Sequence, residues 1–281
     1  RDFNVTLVEP NEFLASGITY DVSCFQENNG SIASSFFGGT SPYTSFLMDD
    51  TQQFLSSNDS VSNLSSSQYY LYGQDDNGCY SDTIILNVQE PSPINITVNN
   101  VTDLICNNVP DGSISVDAIG GTGALSYQWV GPNNFIQSGQ SINQLFAGNY
   151  NLSVIDDNNC IETSLLTLNE PSEININASN ITYIKCKGTN TGSIELNCNG
   201  GTPPYSYNWS GDNGFNSSSS QIDSLFEGIY DVQVFDNNGC SKTSSFNVYE
   251  PDSILQYTIA TTLSCLNENT GSVSVNISGG V

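Results

Sequence analysis

The chain has 281 residues, with 29 Asp or Glu against 4 Lys or Arg and no His. Its formal net charge of −25 excludes nucleic acid and anionic lipid as partners. The lack of His removes the commonest general base and transition-metal ligand, and no apolar run approaches 18 residues, so no membrane insertion is expected.

A ruler of about eighty residues organises the rest. Glu-Pro recurs at Glu9–Pro10, Glu90–Pro91, Glu170–Pro171 and Glu250–Pro251, and Gly-Gly at Gly38–Gly39, Gly120–Gly121, Gly200–Gly201 and Gly279–Gly280. Each Gly-Gly follows a Gly-Ser-Ile or Gly-Ser-Val, as at Gly112-Ser113-Ile114 and Gly271-Ser272-Val273. Anchors that stay in register over this period indicate a domain array rather than a solenoid. In chain order, residues 1–10 read as the last strand of a preceding module. Modules follow at 11–91, 92–171 and 172–251, and 252–281 read as the first strands of another. The natural molecule is expected to continue in both directions.

Within a module the apolar period is two. Ile114, Val116 and Ala118 alternate with polar residues, Leu125, Tyr127 and Trp129 follow the Gly-Gly turn, and Tyr150, Leu152 and Val154 form a later strand. Module three repeats the pattern at Ile194–Cys198, Tyr205–Trp209 and Tyr230–Val234. Such short half-buried strands between Gly, Pro and Asn turns predict an all-β fold: tandem immunoglobulin-like β-sandwich modules of about 80 residues. Trp129 and Trp209 stand where such a sandwich keeps its core indole, and module one has Leu47 there, with Ser45 in place of Tyr127 and Tyr207. Leu145–Tyr150 and Leu225–Tyr230 are similar to a tyrosine corner. The short Glu-Pro linkers restrict the backbone, so the modules are expected to form a semi-rigid rod.

Cys186, Gly192-Ser193-Ile194, the run from Gly200 to Trp209, the run from Leu225 to Cys240 and Glu250–Pro251, in that order, resemble the SprB repeat of surface adhesins from gliding Bacteroidota. The resemblance covers essentially the whole chain and is strongest in module three. It implies export through the type IX system to the cell surface and a role in adhesion or gliding motility. The implied partners are host or substrate surfaces, polysaccharide, and neighbouring copies of the same repeat chain.

Cys24/Cys79, Cys106/Cys160 and Cys186/Cys240 recur at separations of 55, 54 and 54. In an exported protein these read as disulfides. Two pairings fit, depending on strand parity. Four strands from Ile114 to Val154 would leave both cysteines at one end and pair them within the module, as Cys24–Cys79, Cys106–Cys160 and Cys186–Cys240. A fifth strand between Trp129 and Tyr150 would place them at opposite ends and join neighbours, as Cys24–Cys160 and Cys106–Cys240. The within-module pairing is the one expected here. Cys198 reads as a buried free thiol, and Cys265 as a cysteine whose partner falls beyond the sequence.

Each second cysteine closes a near-identical stretch: DDNGC at 75–79, DDNNC at 156–160 and DNNGC at 236–240. Asp75 with Asn77, Asp156 with Asn158, and Asp236 offer hard oxygens that suit calcium, with Glu90 or Glu170 as supplements. An Asx turn between two strands explains the same letters without a cation, and is the preferred reading. No cofactor is required. Asp-Ser/Thr-aliphatic triplets place candidate O-glycans at Ser60, Thr83, Ser224 and Ser253, similar to the Bacteroidota signal. No nucleophile–base pair or phosphate loop stands out, so no catalytic residue is assigned and an enzyme is not expected. Lys185 and Lys187 read as solvated edge charges. The function expected is an extracellular adhesin stalk. The alternatives are an appendage of a secreted enzyme, or a carbohydrate-binding array using Tyr69, Tyr70 and Phe215.

Overall fold

A computed structural model describes residues 10–260 and 272–280. The strand assigned to residues 1–10 and Cys265 lie almost wholly or wholly outside the described residues. Module one contains β1 (Leu14–Tyr20), β2 (Gly30–Phe37), β3 (Thr44–Met48), β4 (Phe54–Ser56), β5 (Ser60–Leu64), β6 (Ser67–Gln74) and β7 (Ile84–Val88). Module two contains β8 (Asn95–Thr102), β9 (Gly112–Ile119), β10 (Ser126–Gly131), β11 (Phe135–Ser138), β12 (Ser141–Leu145), β13 (Gly148–Ile155) and β14 (Ile161–Leu168). Module three contains β15 (Asn175–Thr182), β16 (Gly192–Asn199), β17 (Ser206–Gly211), β18 (Asn216–Ser217), β19 (Gln221–Leu225), β20 (Gly228–Phe235) and β21 (Ser241–Val248). Then come β22 (Leu255–Ala260) and β23 (Val273–Ser278), a two-stranded antiparallel pair.

Each module pairs a three-stranded sheet with a four-stranded one: β1-β2-β5 with β4-β3-β6-β7, β12-β9-β8 with β11-β10-β13-β14, and β15-β16-β19 with β18-β17-β20-β21. The alternating residues read from the sequence fill the space between the sheets. Ile194, Trp209, Ile222, Leu225, Val232 and Val234 are all buried in module three. Trp129 and Trp209 are among the most deeply buried side chains. A buried indole N–H needs an acceptor, and the carbonyls of Gly139 and Ser219 supply it at 2.9 Å. Module one buries Leu47 and Ser45 instead, and the Ser45 hydroxyl lies 3.2 Å from that of Ser34. Its core is completed by a ring cluster of Phe13, Phe36 and Tyr43, with Phe13 stacked on Tyr43 at 5.3 Å. The phenols of Tyr69 and Tyr230 donate to the carbonyls of Ser65 and Phe226 at 2.9 and 3.0 Å, closing two tyrosine corners.

β11 and β12 both lie between Trp129 and Tyr150, so five strands run from Ile114 to Val154. The four-strand expectation fails because β11 is an edge strand that turns no buried residue inward; Ile136 is 77% exposed. Its counterpart β18 is only two residues long. An odd strand count carries the chain from one end of the sandwich to the other.

By backbone contacts the chain divides into two compact units, Arg1–Thr102 with Ser113–Asn143 and Gly148–Thr167, and Asp103–Gly112 with Gln144–Ala147 and Leu168–Val281. The second takes the Cys106 loop from module two along with module three.

Trp209→Ala empties the centre of module three and orphans the Ser219 carbonyl, so it is expected to cost about 3–5 kcal/mol. Urea unfolding followed by circular dichroism measures this, with Trp129 left as the sole indole to report on module two.

Candidate functional site: the junction between repeats

The letters DDNGC, DDNNC and DNNGC build the same structure three times. Asp75, Asp156 and Asp236 are each less than a tenth exposed. Their main-chain N–H groups donate to the carbonyls of Cys79, Cys160 and Cys240, closing the turn. Each carboxylate then gathers backbone donors. Asp156 Oδ1 accepts from Asn158 N and Cys160 N, both at 2.9 Å, while Oδ2 accepts from Thr122 N at 2.8 Å. Asp236 has the same partners in Asn238, Cys240 and Thr202, and Asp75 has Cys79 and Thr40. The Thr donors follow the Gly-Gly turns, so the acid ties the Gly-Gly corner to the cysteine.

The N–H groups occupy lone pairs that a cation would use, which favours the turn over the calcium reading at Asp75, Asp156 and Asp236. Asn77 and Asn158 act through their amide N–H groups, to Thr40 Oγ1 at 2.8 Å and to the Ser23 carbonyl at 3.0 Å. Among the described residues no three acidic or cysteine side chains gather as a metal ion would need. Asp75 has its carboxyl held below the ordinary carboxylate range, chiefly by the Cys79 N–H. At Asp156 burial opposes the charge, but the N–H groups of Thr122, Cys160 and Asn158 together outweigh it and the carboxyl is again lowered.

The opposite end of each sandwich is tied by the Glu of Glu-Pro. Glu90 Oε2 accepts from Gln26 N at 2.6 Å, Glu170 Oε2 from Asn108 N at 2.5 Å, and Glu250 Oε2 from Gly188 N at 2.7 Å. In each case the donor lies two residues after the first cysteine, so this glutamate clamps the cysteine loop. The sequence shows the Glu-Pro period but not this contact, which spans more than sixty residues.

The Gly-Gly turn explains why the next module sits against that clamp. Gly120 has φ +95°, and a Cβ on it would lie 1.9 Å from the Pro93 carbonyl oxygen. The first glycine therefore admits the incoming linker at van der Waals contact, and Gly121 N donates to the Ser92 carbonyl at 2.9 Å.

At these junctions the structure joins Cys24 to Cys160 and Cys106 to Cys240, with Cα–Cα distances of 5.6 Å in both. The within-module pairs Cys24–Cys79, Cys106–Cys160 and Cys186–Cys240 are therefore corrected. Five strands put the two cysteines of a repeat at opposite ends, out of reach of each other but next to a neighbour's. Cys79 and Cys186 are exposed free thiols, and Cys198 is a half-buried one. Burial raises the Cys198 thiol and pushes the Tyr207 phenol beside it up to about 12.

Two of the aromatics suited to sugar stacking are structural. Tyr69 is in the core and Phe215 packs edge-on against Tyr230 at 5.2 Å, while Tyr70 is half-buried. A run of neighbouring rings in module one is formed instead by Phe54, Phe46, Tyr72 and Tyr80, with Phe46 stacked on Tyr72 at 4.9 Å.

The model of the SprB repeat matches three stretches of the chain, residues 16–44, 98–134 and 178–214. The chain thus carries an SprB-repeat match in each of its three repeats. The matched stretches run from the first strand of each repeat through its first cysteine and Gly-Gly turn. No curated protein matches the sequence. Among solved structures the chain is similar to three N-terminal domains of the outer capsid protein of bacteriophage RB49. That match has 12% identity over 84% of this chain and 95% of that one, with a TM-score of 0.40. The titin I-band fragment I67–I69 matches at 13% identity over 86% and 99%, also with a TM-score of 0.40. A tetra-tandem repeat from the extending region of a large adhesion protein matches at 11% identity over 95% and 87%, with a TM-score of 0.25.

Two outcomes follow from the junction. Peptide mapping without reduction should link Cys24 to Cys160 and Cys106 to Cys240, leaving Cys79 and Cys186 open to alkylation. Cys24→Ser should then expose Cys160 and remove up to about 5 kcal/mol, the chain-entropy value for so long a loop. For the turn, the lowered carboxyls of Asp75 and Asp156 contribute stability that is present above the ordinary carboxylate value and lost as pH falls below about 4. Asp156→Asn should lower the melting temperature at pH 7 by roughly 5 °C. The variant should also flatten the decline below pH 4, as thermal melts across pH 3–7 would record.

Proposed function

We propose that this chain is a stalk segment of an extracellular adhesin, whose SprB repeats hold a distal binding element away from the cell surface. The observation that carries this reading is the junction: every described linker is flanked by a Glu clamp, and two are also crossed by a disulfide. Conserving the join rather than a pocket is what a spacer requires. Disulfides that staple neighbouring repeats suit an oxidising exterior. The family resemblance adds the finer reading of type IX export and of adhesion or gliding in Bacteroidota.

The segment carries no catalysis on this reading, and its partners are the surfaces met by the whole adhesin. Ser60, Thr83, Ser224 and Ser253 are all exposed and remain the sites proposed for O-glycans. One observation favours a second reading, polysaccharide binding: Phe54 on β4 and Tyr80 between β6 and β7 are both more than half exposed. However, Phe46 and Tyr72 between them turn their faces to each other, as a cross-strand ladder does.

Exchanging this segment, within the whole adhesin on its native cell, for an unrelated spacer of equal repeat number separates these readings. A stalk predicts that surface attachment is retained. Loss of attachment, together with glycan binding by the purified chain that Tyr80→Ala abolishes, would establish the second reading. Turnover of peptide or polysaccharide by the purified chain would refute both.

A further inference from the structure

The sheet β4-β3-β6-β7 of repeat one has a face that the sheets of its neighbours lack. Ser45, Leu47, Tyr69 and Leu71 are buried in the core, so strand alternation puts Phe46, Met48, Tyr70 and Tyr72 on the far side. Register adds three more side chains there. Phe54 lies opposite Met48, Ile85 opposite Tyr70, and Tyr80 opposite Gln74. Phe54, Ile85 and Tyr80 are all more than half exposed.

The other two repeats show that the fold does not call for these rings. The cross-strand pair Phe46–Tyr72 is Gln128–Ser153 in repeat two and Asn208–Gln233 in repeat three. Tyr70 is likewise replaced by Asn151 and Asp231. Both polar sheets form in the same register, so the aromatic face of repeat one is surplus to folding. A cluster of rings and aliphatic side chains on the surface of so polar a chain marks a contact surface.

The rings form a row. Phe46 and Tyr72 stack at 4.9 Å in its middle, while Phe54 and Tyr80 stand at its ends, 6.3 and 6.0 Å from their neighbours. These end rings are tilted by 58° and 52° from the stack, so they are the two platforms of the row. Steps of this size suit successive sugars of a glycan chain, whose pyranose C–H faces stack on aromatic rings. Thr44, Gln68, Gln74 and Asn87 border the rings with hydroxyl and amide groups that match sugar hydroxyls. None of the side chains named on this face is charged, and an acidic polymer would meet the chain's net charge of −25. A second copy would bring that same charge. The ring face, four strands wide and two outward positions long, covers about 200 Å², against roughly 800 Å² per partner in a stable protein interface.

We propose that this face of repeat one binds a neutral polysaccharide, with one sugar on Phe54, another on Tyr80, and the Phe46–Tyr72 stack setting their separation. The proposal rests on the polysaccharide reading given above and adds to it the sheet face and the class of glycan.

The purified chain is run through native gels containing laminarin, hydroxyethyl cellulose or mannan, which are neutral, or alginate, which is acidic. At least one neutral polymer should retard it and alginate should not. Phe54→Ala and Tyr80→Ala should each weaken the retardation roughly tenfold, the scale of one lost stacking ring. A second variant installs the residues of repeat two, Phe46→Gln with Tyr70→Asn and Tyr72→Ser, which that repeat shows the sheet can carry. It should lose retardation with its circular dichroism unchanged. Retardation by none of the neutral polymers, or by alginate alone, would overturn the proposal. Retardation that survives the triple substitution would also overturn it, while leaving the polysaccharide reading standing with its site elsewhere. Self-association in sedimentation that Tyr80→Ala abolishes, with no retardation, would assign the face to a second copy instead. None of these outcomes depends on the spacer exchange, so the stalk reading stands or falls separately.

Discussion

An antiparallel chain reverses at every strand, so the number of strands between two residues decides which end of a sandwich each occupies. Between Cys106 and Cys160 that number is five, β9 to β13. This parity places one cysteine of each repeat at the end where its linker leaves and the other at the end where the linker before it arrives. The Cys24–Cys160 and Cys106–Cys240 bridges, the Glu clamps and the approach of the Gly-Gly turns to the linkers all depend on it. With an even count, the same cysteines would staple each repeat to itself and leave the linkers covalently unguarded.

The acidic composition looks different once the junctions are known. Asp75, Asp156 and Asp236 at one end and Glu90, Glu170 and Glu250 at the other spend their charge on backbone N–H groups. These are hydrogen bonds to ionised acceptors, the stronger kind. They fix the main chain immediately around each cysteine, so that two sulfurs from different repeats meet with little left to order. Much of the remaining negative charge lies outside this framework.

The repeat period, the apolar alternation, the core indoles and the turn at Asp156 were all legible in the sequence, because each is local or periodic. The second edge strand was not. β11 offers a single inward apolar residue, Phe135 against Tyr150, with Ile136 turned outward, and β18 is too short for any alternation to register. That one omission inverted the strand parity and with it the cysteine pairing. The glutamate clamps were hidden for another reason: their partners are main-chain groups about sixty residues away, and a backbone N–H leaves no letter in the sequence. Repeat one was hardest to read because Leu47 stands in for the tryptophan, with Phe13, Phe36 and Tyr43 completing the core.

The overlap of the two bridges changes how tension travels. A pull reaching Cys24 crosses to Cys160, runs backward along the 54 residues to Cys106, and crosses again to Cys240. Fully drawn out, that path measures about 190 Å, against about 750 Å for the 216 residues from Cys24 to Cys240 with both bridges cut. Residues 25–105 and 161–239 are spared the strain while the sulfurs hold, and β9 to β13 of repeat two bear it in reverse. While both bridges hold, the length between Cys24 and Cys240 is therefore capped at about a quarter of what the bare chain would reach.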